Sequence, residues 1–367
     1  MITSNYTLYR KNESVMKASI IVALDSNLNF TDNFLYFLSQ YKNIEQYELI
    51  FTSDGNNDVN YKKSICRFFD NYKYIEHKTK MGYGVVNNIA ANKASTDILI
   101  FMNADIILKP ECLEHLILSL ESKDAQAVQP LLIYPQTMQV QSTGHIFCNY
   151  YNTHMFENRS INDIIVNKPG FRNAFTTALC AVYKKEFFKH GGFDEKYFNA
   201  WEGMELGLKI VSNGGKCYYE PSAKAYHIRG GGRGQYKIDE TPQTAYFWSK
   251  WGNVIKENLS QVINEQIYDI DKEEQYILIN FSCIRDFKYI IEKLNINVIE
   301  FLNYTEYAGN KSIEFFKTLP YSLLNLDCNI VYLANNYSYI IKNSLWYSLR
   351  EKYNDIIIDL AGNCLKL

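Results

Sequence analysis

The sequence predicts an α/β protein, with a mixed, mostly parallel central sheet in a large first domain and a second, smaller α/β domain behind it. Three observations carry this. Over the first hundred positions, short apolar β-branched runs alternate with helical stretches of about ten residues, the pattern of parallel βαβ units. Two of those runs end in an acidic turn. After about residue 265 the alternation restarts in four strand-like runs, YILINF, VIEFL, CNIVYLA and DIIIDLA. The boundaries that follow are a leader over 1–17, a first domain over 18–264 and a small C-terminal domain over 265–367.

The first strand is ASIIVAL (18–24), apolar throughout and closed by Asp25-Ser26-Asn27. Phe34, Leu35, Phe37 and Leu38 then recur at helical spacing. YELIFTS (47–53) is the next strand and ends at Asp54-Gly55. A helix over 59–70, the strand YKYIEH, a helix over 84–94 and the strand DILIFMN (97–103) follow. Parallel α/β sheets take their ligands at the carboxyl ends of the strands, and both Asp54 and Asp105 fall there. Further on, AVQPLLIY and QVQSTGHIFC with a polar stretch to about 170 predict mixed sheet and a long loop. FTTALCAVYKKEFFKHGG (175–192) reads as strand then helix, and KCYYEPSAKAYH (216–227) as strand, turn and strand before a glycine-rich tail.

Composition narrows the class. A net charge of -2 supplies no basic field, so a nucleic-acid partner is not expected. The eight cysteines form no C-x-x-C pair and no cluster with histidine, which removes zinc and dithiol redox motifs. Scattered in this way they predict reduced, buried thiols in a cytoplasmic protein. The polar N-terminus lacks a signal sequence, and no apolar run approaches the ~20 residues of a membrane span. The expectation is a cytoplasmic protein, at most peripheral at the inner face of a membrane. The end at Leu367, just past a buried-looking strand, raises the expectation of further chain or of a partner at the C-terminal domain.

Four segments hold the candidate chemistry. In FTSDGNND (51–58), Asp54 is either a turn residue bonded to its own backbone or an acceptor for a base N–H or ribose hydroxyl. In MGYGVVNNIA (81–90), Gly82 and Gly84 open a helix where backbone N–H groups approach an anion, or simply allow helix entry. FMNADIIL (101–108) ends an apolar strand in Asn103-Ala104-Asp105, an arrangement suited to a hard cation that bridges phosphate oxygens. In GGFDEKYFNAWEGMELGLK (191–209), Glu202 and Glu205 sit at i, i+3 on one helix beside Trp201. They read as a solvated face or as carboxylates able to deprotonate a hydroxyl next to a sugar-covering ring. His227, between Tyr226 and Ile228, is a core histidine or a ligand for Mn²⁺ in a mixed site. The IRGGGRG tail after it would fold over phosphates, with Arg229 or Arg233 as charge.

This ordered set resembles the family 2 glycosyltransferases of the GT-A fold, especially their bacterial rhamnosyltransferase-like branch, over about residues 18–232. The residues that carry it are Asp54-Gly55, the G-x-G…N of Gly82, Gly84 and Asn88, and the N-x-D of Asn103 and Asp105. Gly191 to Glu195, the acidic helix from Glu202 to Leu206 and the downstream His227 complete it. The resemblance implies a GT-A-type nucleotide-diphospho-sugar transferase fold, with Asp54, Gly82, Asn88 and Asn103 at the nucleotide and Asp105 and His227 on Mn²⁺ or Mg²⁺. It implies inverting transfer from a nucleotide-diphosphate sugar, UDP- or dTDP-linked, to a hydroxyl of a glycan, lipid-linked or protein acceptor. Two positions depart from the pattern. Gly203 stands where the family usually has its catalytic base, which moves that role to Glu202 with Glu205 as the alternative. The first strand ends LDSN, which makes Asp25 a further nucleotide contact. Trp201 is expected at the acceptor. The departures also keep open a degenerate, non-catalytic nucleotide- or glycan-binding module. A sugar-nucleotidyltransferase is disfavoured, because LDSNLNF lacks the glycine- and arginine-bearing loop it needs.

Overall fold

A computed structural model describes residues 16–24, 28–55, 60–228, 239–267, 273–284, 287–305, 326–341 and 348–367. The chain divides into two compact units, one of residues 1–145 and 160–251, the other of 146–159 and 252–367.

The first unit is built on β1 (Ser19–Leu24), β2 (Glu48–Ser53), β3 (Lys73–Ile75), β4 (Ile98–Asn103), β5 (Ile106–Leu108), β6 (Ala127–Tyr134) and β7 (Gln139–Ser142). After the hairpin β8 (His145–Cys148) and β9 (Tyr151–His154), the strands β10 (Gly170–Arg172), β11 (Leu179–Tyr183) and β12 (Cys217–His227) return to the same sheet. Its strand order is β10-β12-β6-β11-β4-β1-β2-β3, with β5 added to β12 and β7 to β6. Neighbours β4, β1, β2 and β3 are parallel, as are β6 and β12, while β11 runs antiparallel between β4 and β6.

The helices are α1 (Leu28–Ser39), α2 (Tyr61–Ile65), α3 (Tyr83–Lys93), α4 (Cys112–Ser122), α5 (Lys184–Lys189), α6 (Glu202–Ser212) and α7 (Thr241–Trp251). The central strands are continuously apolar because both faces are covered. Ile20, Val22 and Leu24 of β1 join Ile98, Ile100 and Met102 of β4 on one face, under Phe34 and Leu35 of α1 and Leu113 and Leu116 of α4. The alternate residues Ile21, Leu99 and Phe101 point the other way, onto Ala90 and Ala91 of α3, Phe187 of α5 and Leu206 and Ile210 of α6. Each of the larger aliphatic and aromatic side chains among these contributes about 1.5–3 kcal/mol by leaving water.

Three local expectations are corrected. The helix expected over 59–70 is five residues long. Asn60 caps it, accepting from the Lys63 amide, and the chain turns after Cys66. The turn expected near Pro221 is an irregularity within one strand, where the pairing of β12 with β6 shifts register between Glu220 and Lys224. The cysteines are all unpaired, but Cys66 and Cys283 are exposed rather than buried.

The second unit holds a sheet of β13 (Tyr276–Phe281), β14 (Val298–Asn303), β15 (Asn329–Ala334), β16 (Ile356–Asp359) and β17 (Cys364–Lys366) in the order β14-β13-β15-β16-β17. The first four are parallel, a doubly wound arrangement, and β17 is antiparallel at the edge. Helices α8 (Leu259–Asn264) and α9 (Lys288–Leu294) belong to this unit, as does the hairpin β8–β9, whose Phe147 amide donates to Asn258 Oδ1. At the carboxyl ends of its strands the polar side chains bond one another. Asn280 Oδ1 accepts from Ser282, and Asn335 Oδ1 accepts from the Cys283 amide. Asp359 accepts from the amides of Tyr337, Ala361 and Asn363, while burial pushes its carboxyl up to about 6. Among the described residues no helix is long and apolar enough to cross a membrane.

Arg350 and Asp355 form a buried, forked ion pair at 2.6 and 3.0 Å. The guanidinium also donates to the carbonyls of Leu326 and Cys328. Removing one partner strands the other charge, so Asp355→Ala should lower the stability of this unit by about 3–5 kcal/mol. Loss of hydrogen-exchange protection at the β15 and β16 amides would register it.

Candidate active site

The register of the parallel strands sets the site. Leu24 pairs with Ser53 and Ala23 with Asn103, so the residues after β2 and β4 leave the sheet along one edge. Asp54 and Asp105 are therefore brought to the same edge, and both are buried.

Asp54 turns inward. It accepts from the backbone amides of Met81 at 2.6 Å and Gly82 at 3.1 Å, and so ties the start of α3 to the end of β2. Gly55 has φ +72°, and a Cβ there would meet the Lys80 nitrogen at 2.2 Å, so only glycine fits. Gly82, at φ +94°, lies under the Phe198 carbonyl, which accepts from the Tyr83 amide. Asn88 clamps the segment after α5 in both directions. Its Nδ2 donates to the Phe193 carbonyl at 2.9 Å, and its Oδ1 accepts from the Phe193 amide at 3.0 Å. Asn103 is half-buried at the end of β4.

Asp105 sits in the tight connection between β4 and β5. Because β5 pairs antiparallel with β12, with Ile106 opposite His227, the histidine arrives beside the aspartate. The Ile228 amide locks this by donating to the Asp105 carbonyl at 3.0 Å. His227 Nε2 lies 3.1 Å from Asp105 Oδ1, yet the two are not aligned for a hydrogen bond, and that buried oxygen accepts none. On its other side, His227 Nδ1 is 2.5 Å from Oε1 of Gln141, a buried β7 residue. A carboxylate oxygen left unsatisfied next to an imidazole nitrogen is a donor pair able to hold a divalent cation. Among the described residues no third His, Cys, Asp or Glu joins them.

The carboxylate helix α6 begins at Glu202. Trp201 before it has φ +76°, a left-handed conformation that costs a bulky residue on the order of 1–3 kcal/mol. Phe247 of α7 holds its ring, 4.3 Å away centroid to centroid. The sequence leaves open whether Glu202 and Glu205 form a solvated face, and the structure buries both. Glu205, fully buried, pairs with Lys250 of α7 and lies 3.5 Å from Lys209. Lys250 also donates to Asp194 at 3.1 Å. Burial works against this ammonium, but its bonds to Glu205 and Asp194 outweigh it and raise its pKa above the ordinary lysine value. Glu202 has a different neighbourhood. Its Cγ is 3.7 Å from where a Cβ on Gly84 would stand, at the start of α3. Tyr83, whose hydroxyl donates to the Thr177 carbonyl, is pushed well above the usual tyrosine range, chiefly by burial.

Gly203 has a steric reason. A Cβ there would stand 2.6 Å from Thr177 Cγ2 and 2.8 Å from the Thr177 amide nitrogen. Gly207, one turn on, is as close to Ala174, so α6 packs directly on the 174–177 backbone. Asp25, Arg229 and Arg233 lie outside the described residues. Gln141 carried no signal in the sequence, since QVQS reads as an ordinary strand.

A curled, mostly parallel sheet with an acid at the end of β4 and a carboxylate helix below it defines the GT-A class of glycosyltransferase folds. The crystal structure of GalNAc-T7 with UDP, GalNAc and Mn²⁺ shares this fold, with a TM-score of 0.51 over 77% of this chain and 56% of that one at 14% identity. Residues 18–192 match the model of glycosyl transferase family 2. It is 26% identical over 199 residues to the rhamnosyltransferase WbbL of Escherichia coli K12, covering 50% of this chain and 73% of that protein. It is also 26% identical over 174 residues to the O-antigen biosynthesis protein RfbC of Myxococcus xanthus, covering 46% of this chain and 13% of that protein. The chain thus spans only a small part of the longer relative.

Two outcomes follow from this geometry. Lys250→Ala should destabilise the first unit by about 2–3 kcal/mol, below the range for a fully buried pair because the ammonium is partly exposed. Glu205→Gln with Lys250→Met should recover most of that loss in urea unfolding. Gly203→Asp, which introduces the acid that the resemblance leads one to expect at this position, should yield no gain in turnover and cost about 1–3 kcal/mol by overpacking.

Proposed function

We propose that the chain is an inverting, metal-dependent glycosyltransferase. It moves a sugar from a nucleotide diphosphate, UDP- or dTDP-linked, to a hydroxyl of a glycan, lipid-linked or protein acceptor. The observation that carries this reading is the Asp105–His227 pair at the strand-end edge and the buried Glu202 beside the start of α3, in a chain whose residues 18–192 match the family 2 model. Asp105 and His227 would hold Mn²⁺ or Mg²⁺, which when bound supplies positive charge to the leaving diphosphate. Glu202 takes the proton of the acceptor hydroxyl as its oxygen bonds to the anomeric carbon and the bond to the diphosphate breaks. A single displacement from the opposite face inverts that carbon. Asp54 keeps lone pairs beyond those used by the two amides and, with Gly82 and Asn103, faces the nucleoside. Asn88 braces the wall of that pocket from the side of Phe193. Asp25 at the nucleotide and Arg229 and Arg233 at the phosphates keep the roles expected from the sequence, and Trp201 borders the acceptor.

The relatives' names, a rhamnosyltransferase and an O-antigen biosynthesis protein, favour a deoxyhexose transferred to a surface polysaccharide in the cytoplasm. Gly203 favours the second reading, a nucleotide-binding module without turnover.

Titration calorimetry with UDP, GDP, dTDP and CMP, each with and without Mn²⁺, tests the donor site. One nucleotide should bind in a metal-dependent way, and Asp105→Ala should abolish it. Glu202→Gln should retain that binding and lower kcat about 10²–10⁴-fold. Binding without turnover in the wild type would leave the module reading, and full turnover by Glu202→Gln would remove the assigned base.

A further inference from the structure

We infer that Gln141 is a positioning residue: it decides which imidazole nitrogen of His227 faces Asp105, and so prepares the pair for a divalent cation. The inference rests on the reading of Asp105 and His227 given above.

The carboxamide is held at both ends. Its Nε2 donates to the backbone carbonyl of His227 at 3.3 Å, while its Oε1 lies 2.5 Å from His227 Nδ1. A carbonyl only accepts, so the amide group must turn its NH₂ that way and its oxygen toward the ring. An oxygen facing Nδ1 requires the hydrogen to be on Nδ1. In the neutral imidazole this leaves Nε2 with a bare lone pair. That lone pair lies 3.1 Å from an Asp105 oxygen which accepts no hydrogen bond. Two lone-pair atoms so placed repel each other, and a cation held between them relieves that repulsion. A histidine meant only to pair with Asp105 would carry its proton on Nε2, in line with the carboxylate.

Burial supports the same conclusion. Gln141 is 1% exposed, and a buried amide is costly unless its donor and acceptor are both used. Here both are spent on one residue, His227. Metal-ligating histidines are held in this way by an acceptor at the far nitrogen, and loss of that acceptor weakens metal binding about 10–100-fold.

The test uses the full chain as wild type, Gln141→Leu and Gln141→Glu. Long-range proton–nitrogen spectra of the metal-free wild type should show His227 with its hydrogen on Nδ1, the signal being assigned by its loss in His227→Asn. Binding of Mn²⁺ in the presence of UDP is read from the paramagnetic resonance of the free ion. Gln141→Leu should move the hydrogen toward Nε2 and weaken Mn²⁺ about 10–100-fold, whereas Gln141→Glu, which keeps an acceptor, should stay near wild type. An Nε2–H tautomer in the wild type overturns the inference, and so does unchanged Mn²⁺ affinity in the folded Leu variant. Equal loss in the Leu and Glu variants also overturns it, since that marks a packing role. A wild type that binds no Mn²⁺ overturns the metal reading of the site and the inference together. The tautomer is read on the wild type, so a Leu variant that fails to fold does not protect the idea.

Discussion

The short antiparallel ladder between β5 and β12 is the constraint on which the site depends. Three residue pairs, Leu108 with Ala225, Ile107 with Tyr226 and Ile106 with His227, join parts of the chain more than a hundred positions apart. A slip of one residue would turn His227 to the opposite face of the sheet, since side chains alternate along a strand. The apolar faces of Ile106 and Ala225, both in the core, resist such a slip by burial. The polar chemistry at Asp105 is thus placed by its hydrophobic neighbours.

The acidic helix divides its labour by the direction each side chain takes. Glu205 is turned to Lys250 and Lys209, and its charge is spent on holding α7 against α6. Glu202, one turn earlier, is turned to the start of α3, where its Cγ lies beside Gly84. Between them Gly203 and Gly207 let the helix backbone touch the 174–177 segment. Close packing at that seam and an acid at position 203 exclude each other. The departure from the family pattern therefore has a cause in packing.

Much of the first unit was legible in the sequence because its strands are buried on both faces. SIIVAL and ILIFMN read as strands without any alternation to interpret. Asp105 and His227 were legible because motif order survives where spacing does not. The partners were not. Gln141 lies in a four-residue strand whose relation to His227 exists only through β6, which pairs with both β7 and β12. The role of Glu205 was hidden for a similar reason, its cation being 45 positions downstream on another helix. The short α2 and the irregularity in β12 are set by a cap and a register shift, which periodicity does not record.

The path of the chain has one more consequence. Residues 146–159 leave the first unit after His145, join the second, and return at Ser160. The Phe147 amide needs Asn258, and the Phe156 amide needs the carbonyl of Ala361. The two units are therefore threaded through each other's sequence and are not beads on a string. Cutting the chain after Trp251 would leave a fourteen-residue excursion, residues 146–159, with its hydrogen-bonding partners gone, four residues past the end of the strand that carries Gln141. In inheritance as in the laboratory, the second unit cannot be exchanged as a cassette without rewriting the middle of the first.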